Sequence, residues 1–355
     1  MYRSQLPILL LLVASGLLFC NFIASRHSSR IPESLRMLPE EPGALSRSHH
    51  PLSCAAAAAA QHHNKPLYVF LHLHKTGGNS LKTSLFSFAK RNGLGLHHTC
   101  HATSGDGLLS AWWFHRTKRM GKGLDCNLDV LAALPSHKRA EIDLVMGHQF
   151  VGAHSLFPDR DVRYFTFVRH PLARKVSHFI HFERGKPGKR SMTRYLVERN
   201  RNYMTKRLAT DVRAGELATD LRARFVDLDS FAARAALRAA KHNLIDRFFF
   251  VGLQERYAES VCVLARILNA ACGRERKLAR EFAMRPEKVV RNRENERGET
   301  KQKIEAMSET VKGAVLRAES ADVELYQFAE RLFENKLRKY PECRGAYTET
   351  KTRRG

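Results

Sequence analysis

The stretch Pro66–Phe88, PLYVFLHLHKTGGNSLKTSLFSF, constrains the fold more than any other. It opens with Leu67-Tyr68-Val69-Phe70-Leu71, an apolar run with β-branched and aromatic residues, which predicts a buried strand. His72 to Ser80 follow, and then Leu81, Leu85 and Phe88 recur at helical spacing. A strand, a glycine-containing loop and a helix in that order make an anion site. The first turn of a helix has N–H groups without intrahelical partners and the positive end of the dipole. Gly77 and Gly78 let the backbone approach a bound group and accept positive φ. Lys75 adds a full charge, and Thr76 and Ser80 add hydroxyl donors. The Walker pattern G-x-x-x-x-G-K-[ST] is absent, because here the lysine precedes the glycines.

A second stretch, Val162–Phe182, repeats the plan. Tyr164-Phe165-Thr166-Phe167-Val168 reads as a strand, and Arg169-His170-Pro171 ends it. Leu172 to Phe182 continue with helical spacing, and Pro171 sits where a first turn accepts proline. Arg169, Arg174 and Ser177 lie at or after the strand end, and a guanidinium with a hydroxyl suits a phosphate. Two such loops in one α/β domain imply a ligand with two separated anionic groups.

These residues resemble a known family. Lys75-Thr76-Gly77-Gly78-Asn79-Ser80 is similar to the 5′-phosphosulfate loop of Golgi carbohydrate sulfotransferases that use 3′-phosphoadenylyl sulfate (PAPS). Arg169 and Ser177, with Pro171 and Arg174 between them, are similar to their 3′-phosphate motif. The resemblance points to the group that includes heparan sulfate 2-O-sulfotransferase and uronyl sulfotransferases. Asn202–Leu208 resembles the family's N-x-x-T-R-x-L segment, and Phe250–Arg256 with Ser260 its F-V-G-L-x-E-R…S segment. Gly147-His148 resembles its G-H segment, which makes His148 the expected catalytic base, with His72, His74 and Glu183 next in line.

The resemblance implies a P-loop-like sulfotransferase fold of α/β class, a parallel sheet with helices on both faces. It further implies PAPS as co-substrate, adenosine 3′,5′-bisphosphate as product and no metal requirement. Lys75 would steady the leaving phosphate. Thr76 to Ser80 would hold the 5′-phosphate, and Arg169 and Ser177 the 3′-phosphate.

The rest of the chain fits around this domain. Leu6–Ala24 is nearly all apolar and just reaches the ~20 residues that span a bilayer. It reads as an uncleaved signal anchor after a short tail, 1–5, with a cleaved signal peptide as the competing reading. Residues 25–65 form a stem, 66–345 the catalytic domain and 346–355 a loose basic tail. With the family resemblance, this predicts a single-pass type II Golgi membrane protein with a lumenal catalytic domain. Ile142–Met146 is a further strand; His148 lies just past its carboxyl end, where polar residues of an open α/β sheet face the ligand. Six cysteines outside the apolar segment allow about fifteen pairings, which the sequence does not fix; for Cys100 and Cys126 a disulfide is favoured over a metal site. A metal site drawing on His97, His98, Cys100, His101 and His115 fits no zinc spacing.

The net charge of +25 calls for an anionic partner. With the resemblance, an acidic glycosaminoglycan-like polysaccharide is expected rather than nucleic acid. A P-loop-type kinase and a non-catalytic binder of acidic glycans are the alternatives. The first lacks a lysine after the glycines, and the second leaves the paired anion loops unexplained.

Overall fold

The computed structural model describes residues 66–92, 94–99, 128–183, 191–211, 230–270 and 298–345. A five-stranded parallel sheet organises them, in the order β2-β3-β1-β4-β5. The strands are β1 (Leu67–Leu71), β2 (Leu96–His98), β3 (Leu144–Gly147), β4 (Val162–Val168) and β5 (Phe248–Leu253). Their continuous burial explains the unbroken apolar runs, since a parallel sheet is covered on both faces. Tyr68 pairs with Leu144 on one side and Arg163 on the other, so β1 is central.

The helices in chain order are α1 (Gly78–Asn92), α2 (Asp129–Ala132), α3 (Ser136–Ala140), α4 (Pro171–Phe182), α5 (Met192–Glu198) and α6 (Tyr203–Ala209). They continue with α7 (Ser230–Asp246), α8 (Tyr257–Ala270), α9 (Glu309–Ala318) and α10 (Ser320–Leu337). The chain leaves β1 toward β2 and leaves β4 toward the opposite edge. Right-handed crossovers in opposite directions put their helices on opposite faces. The same reversal falls between β1 and β4, whose carboxyl ends are the switch point at which open α/β sheets bind ligands.

The main core runs from Val69, Phe70 and Leu71 through Phe165 and Phe167 to Leu325 and Phe333 of α10. A smaller core joins Leu172, Val176 and Ile180 of α4 to Tyr195 and Leu196 of α5 and Val315 of α9. Gly252 is needed for packing, because a Cβ there would come within 2.7 Å of the Phe167 ring. Ser260 ties α8 to β5: its Oγ accepts from the Leu253 N–H at 2.9 Å and donates to the Leu253 carbonyl at 3.1 Å. A Cys262–Cys343 disulfide fastens the chain's end to α8 across a separation of 81 residues. Such a long loop, closed in the unfolded chain, is stabilising by about 2–4 kcal/mol.

The strands expected at Leu67–Leu71, Ile142–Met146 and Tyr164–Val168 and the helix expected over Leu172–Phe182 recur within a few residues. Among the described residues no helix is long and apolar enough to cross a membrane, and Leu6–Ala24 lies outside them. Cys100 and Cys126 also lie outside. His97 and His98 form part of β2 and are buried, and burial pulls His97 down to about 4.

Candidate active site

Three neighbouring strand ends build the site. After β1 the chain enters the loop His72–Gly77. Lys75 takes a left-handed conformation (φ 65°), as does Gly77 (φ 88°). A lysine there carries backbone strain of the kind that collects at functional sites. The Thr76 hydroxyl donates to the Leu73 carbonyl at 2.9 Å, so its proton closes the turn. Ser80 N–H donates to the Gly77 carbonyl at 3.2 Å, while Gly78 and Asn79 begin α1. Gly78 has a packing role: a Cβ would lie 2.0 Å from the His72 ring. The buried imidazole therefore fixes the glycine.

After β4, Arg169 donates from Nη1 to the Lys75 carbonyl at 3.2 Å. The two anion motifs are thus in direct contact across the β1–β4 border. Pro171 opens α4 at its first position, and Ser177 lies buried in that helix. Glu255, just after β5, accepts from His170 N–H at 3.0 Å and from the Tyr326 hydroxyl at 3.0 Å. That carboxylate occupies the start of α4, so the His170 N–H is already engaged. Arg174 points inward: its guanidinium covers the Tyr203 ring at 4.7 Å and lies 3.7 Å from the buried Glu319.

After β3 comes His148. Its Nδ1 is 2.6 Å from the His72 carbonyl. A carbonyl only accepts, so Nδ1 carries the proton and, in the neutral ring, Nε2 is the acceptor. The ring is sandwiched between His74 (centroids 3.8 Å, 12°) and His72 (4.1 Å, 29°). Arg207 of α6 donates to the His148 carbonyl at 3.1 Å, and its guanidinium lies 4.1 Å over Phe150. Gln149 is locked too, donating to the Phe70 carbonyl at 3.3 Å and accepting from Thr99 at 3.0 Å.

Burial and mutual repulsion keep the surrounding imidazoles neutral. Burial, then His148 and His74, holds His72 well below the usual range. His74 is held down by burial, then by His148 and Arg207. His178 falls to about 3 through burial and the charges of Arg174 and Lys75.

The expected residues Lys75, Thr76, Gly77, Gly78, Asn79, Ser80, Arg169, Ser177 and His148 therefore gather at one end of the sheet. His72, His74 and Arg207 contact His148, and Tyr203 packs on His74; the sequence named the two histidines only as alternative bases and gave Tyr203 and Arg207 no place there. The spacing His72–Leu73–His74 is the signal that was available, since alternate residues face the same way from a strand end. Glu183 ends α4, its N–H bonded to Phe179. Among the described residues no cluster of metal-ligating side chains is present.

Polar loops gathered at the carboxyl ends of a parallel sheet, around a glycine-bearing strand-to-helix turn, fit the α/β layout of a sulfotransferase. The chain belongs to the galactose-3-O-sulfotransferase family, whose model it matches over residues 5–336. That is a family of carbohydrate sulfotransferases, and it implies sulfuryl transfer to a carbohydrate. No curated protein matches the chain.

Proposed function

We propose that the protein transfers a sulfuryl group from PAPS to a hydroxyl of a carbohydrate, with His148 as general base. The observation that carries this reading is the juxtaposition of His148 with the Lys75 and Arg169 loops at adjacent strand ends. The cradle suits a doubly anionic donor. Gly77 is left-handed and borders Tyr257 and Gln254, Gly78 lets the loop close on His72, and Lys75 and Arg169 bring positive charge.

The donor supplies the sulfuryl group and leaves as adenosine 3′,5′-bisphosphate. His148 Nε2 takes the proton of the acceptor hydroxyl as the new oxygen–sulfur bond forms. Lys75 neutralises the charge that develops on the leaving phosphate as the old sulfur–oxygen bond breaks. Backbone N–H groups in Thr76–Ser80 hold the 5′-phosphate, and Arg169 and Ser177 grip the 3′-phosphate. No step calls for a metal.

The family's name supports galactose as the sugar and its 3-hydroxyl as the acceptor atom. The net charge of +25 favours a second reading, a negatively charged glycosaminoglycan-like chain. The disulfide supports an oxidising, lumenal setting. With the apolar segment Leu6–Ala24 and the family match, we read the protein as a type II Golgi membrane protein.

The test is transfer of ³⁵S from PAPS to β-galactosides and to desulfated glycosaminoglycans by the parent, Lys75→Ala and His148→Ala. Transfer by the parent and its loss in both variants is the expected result. Near-normal transfer by His148→Ala would move the base to another residue. Thermal stabilisation by Mg·ATP but not by PAPS would favour a kinase.

A further inference from the structure

Beside the base lies a group of rings that the transfer chemistry does not use. His74, stacked on His148, meets the edge of Phe182 at 6.1 Å (85°) and of His178 at 6.4 Å (86°). Phe182 and His178 touch each other with centroids 4.6 Å apart, and Tyr203 leans on His74 at 5.9 Å. All four rings are half-buried, whereas the neighbouring Thr76, Arg169 and Ser177 are buried. Hydrogen bonds hold the set rigid: His178 Nδ1 lies 2.6 Å from the Tyr195 hydroxyl, and His74 N–H donates to the Tyr203 hydroxyl at 3.3 Å.

We propose that Phe182, with His178 and His74, is the stacking platform for the acceptor sugar, and that the sugar placed there is an uncharged hexose of the galactose type. The proposal rests on the sulfotransferase reading above and deepens it.

The position suits an acceptor. α4 carries the Arg169–Ser177 donor motif at its beginning and Phe182 at its end, one ring away from the base. The chemistry suits galactose. Its axial 4-hydroxyl leaves the C–H bonds at C3, C4 and C5 on one face, an apolar surface that lies flat on an aromatic ring. The hydroxyls then project from the edge of the sugar, where a base can reach one. Aromatic rings offer large, rigid contact area at little entropic cost.

Charge argues against a uronate on this platform. The nearby guanidiniums of Arg174 and Arg207 are buried against Tyr203, 4.7 and 5.5 Å from its ring, and Arg174 is also beside Glu319. His74 and His178 stay uncharged where they meet Phe182. A carboxylate on this face would lose water while meeting guanidiniums already engaged by Tyr203 and, for Arg174, by Glu319.

Direct binding tests the platform independently of turnover. The full-length protein would be titrated with methyl β-galactoside and methyl β-glucuronide in saturating adenosine 3′,5′-bisphosphate, beside Phe182→Ala and Phe182→Trp. Phe182→Ala should weaken galactoside binding about tenfold. Phe182→Trp should restore it, nucleotide affinity should stay unchanged, and the glucuronide should bind more weakly than the galactoside. Equal galactoside binding by wild type and Phe182→Ala would overturn the proposal, as would no binding by wild type or tighter binding of the glucuronide. Phe182-dependent binding without any transfer from PAPS would sink the sulfotransferase reading and leave the platform standing. Transfer indifferent to Phe182 would do the reverse.

Discussion

Asn202 and Asp322 cap each other's helix. Asn202 Oδ1 accepts from the N–H groups of Ala321 and Asp322 at 3.1 and 3.2 Å, at the start of α10. The Asp322 carboxylate accepts from Met204 and Thr205 N–H at 3.0 and 2.7 Å, at the start of α6. Both side chains are buried, and Asn202 takes the left-handed conformation (φ 50°) that asparagine tolerates better than most residues. Through this exchange α10 fixes α6, and α6 carries Tyr203 against His74 and Arg207 against the His148 carbonyl.

Removing Asp322 should therefore destabilise the whole domain. Asp322→Ala strands two buried N–H groups and is expected to cost about 3 kcal/mol, against about 1–2 kcal/mol for Asn202→Ala. Urea unfolding measures both, and the double variant should cost less than the sum because the two residues form one unit. Unfolding of Asp322→Ala at the wild-type midpoint would refute the mutual cap.

Gly78→Ala should disable the donor site while leaving the sheet intact. The new Cβ would sit 2.0 Å from the His72 ring, which is held between Phe70 (5.5 Å) and His148 (4.1 Å) and is buried. The loop must shift, and affinity for adenosine 3′,5′-bisphosphate should fall by more than about tenfold in calorimetry. Affinity unchanged in Gly78→Ala would mean that the loop does not hold the nucleotide.

The contrast between these two sites explains what the sequence could reveal. The loop after β1 is legible because strand, glycines and helix are contiguous. Yet of the two glycines that accept positive φ only Gly77 uses it, Lys75 adopts it as well, and Gly78 answers to His72. His148 is readable from its position past a strand end and from family resemblance. Its stacking between His72 and His74 depends on β1 and β3 being neighbours, which no local pattern encodes. β2 escaped notice because its His97 and His98 are polar residues in a buried strand, without the apolar run that marks the others. The mutual cap joins residues about 120 positions apart, each on an ordinary helix start.

Arg207 should act as a positioning residue for His148, the proposed base. Its guanidinium donates to the His148 carbonyl and stacks on Phe150, so it fixes the backbone from which the imidazole hangs. Arg207→Gln should lower kcat about tenfold or more with the KM for PAPS unchanged, because a small misplacement of a base is costly. Arg207→Lys should recover part of the loss. An equal fall in both variants together with a raised KM for PAPS would instead assign Arg207 to donor binding.

Glu319 should make stability depend on pH. Its carboxylate is fully buried between Lys175 (2.9 Å) and Arg174 (3.7 Å). Burial, reinforced by Asp322, pushes it up to about 7, against the pull of the two cations. The same burial pushes Lys175 down, so both partners shift toward their neutral forms. Because the folded pKa lies above the unfolded value of 4.5, the folded state binds more protons between them. The stability this contributes is complete below about pH 4.5 and is lost as pH rises through about 7. Glu319→Gln keeps the shape but cannot ionise, so wild type should lose up to about 3 kcal/mol relative to it across that window. Urea unfolding at several pH values from 4.5 to 8 measures the difference. Parallel curves would mean that the Lys175 ion pair outweighs desolvation and that Glu319 is charged throughout; a loss in wild type that grows above about pH 4.5 and levels off above about pH 7 would confirm that burial wins.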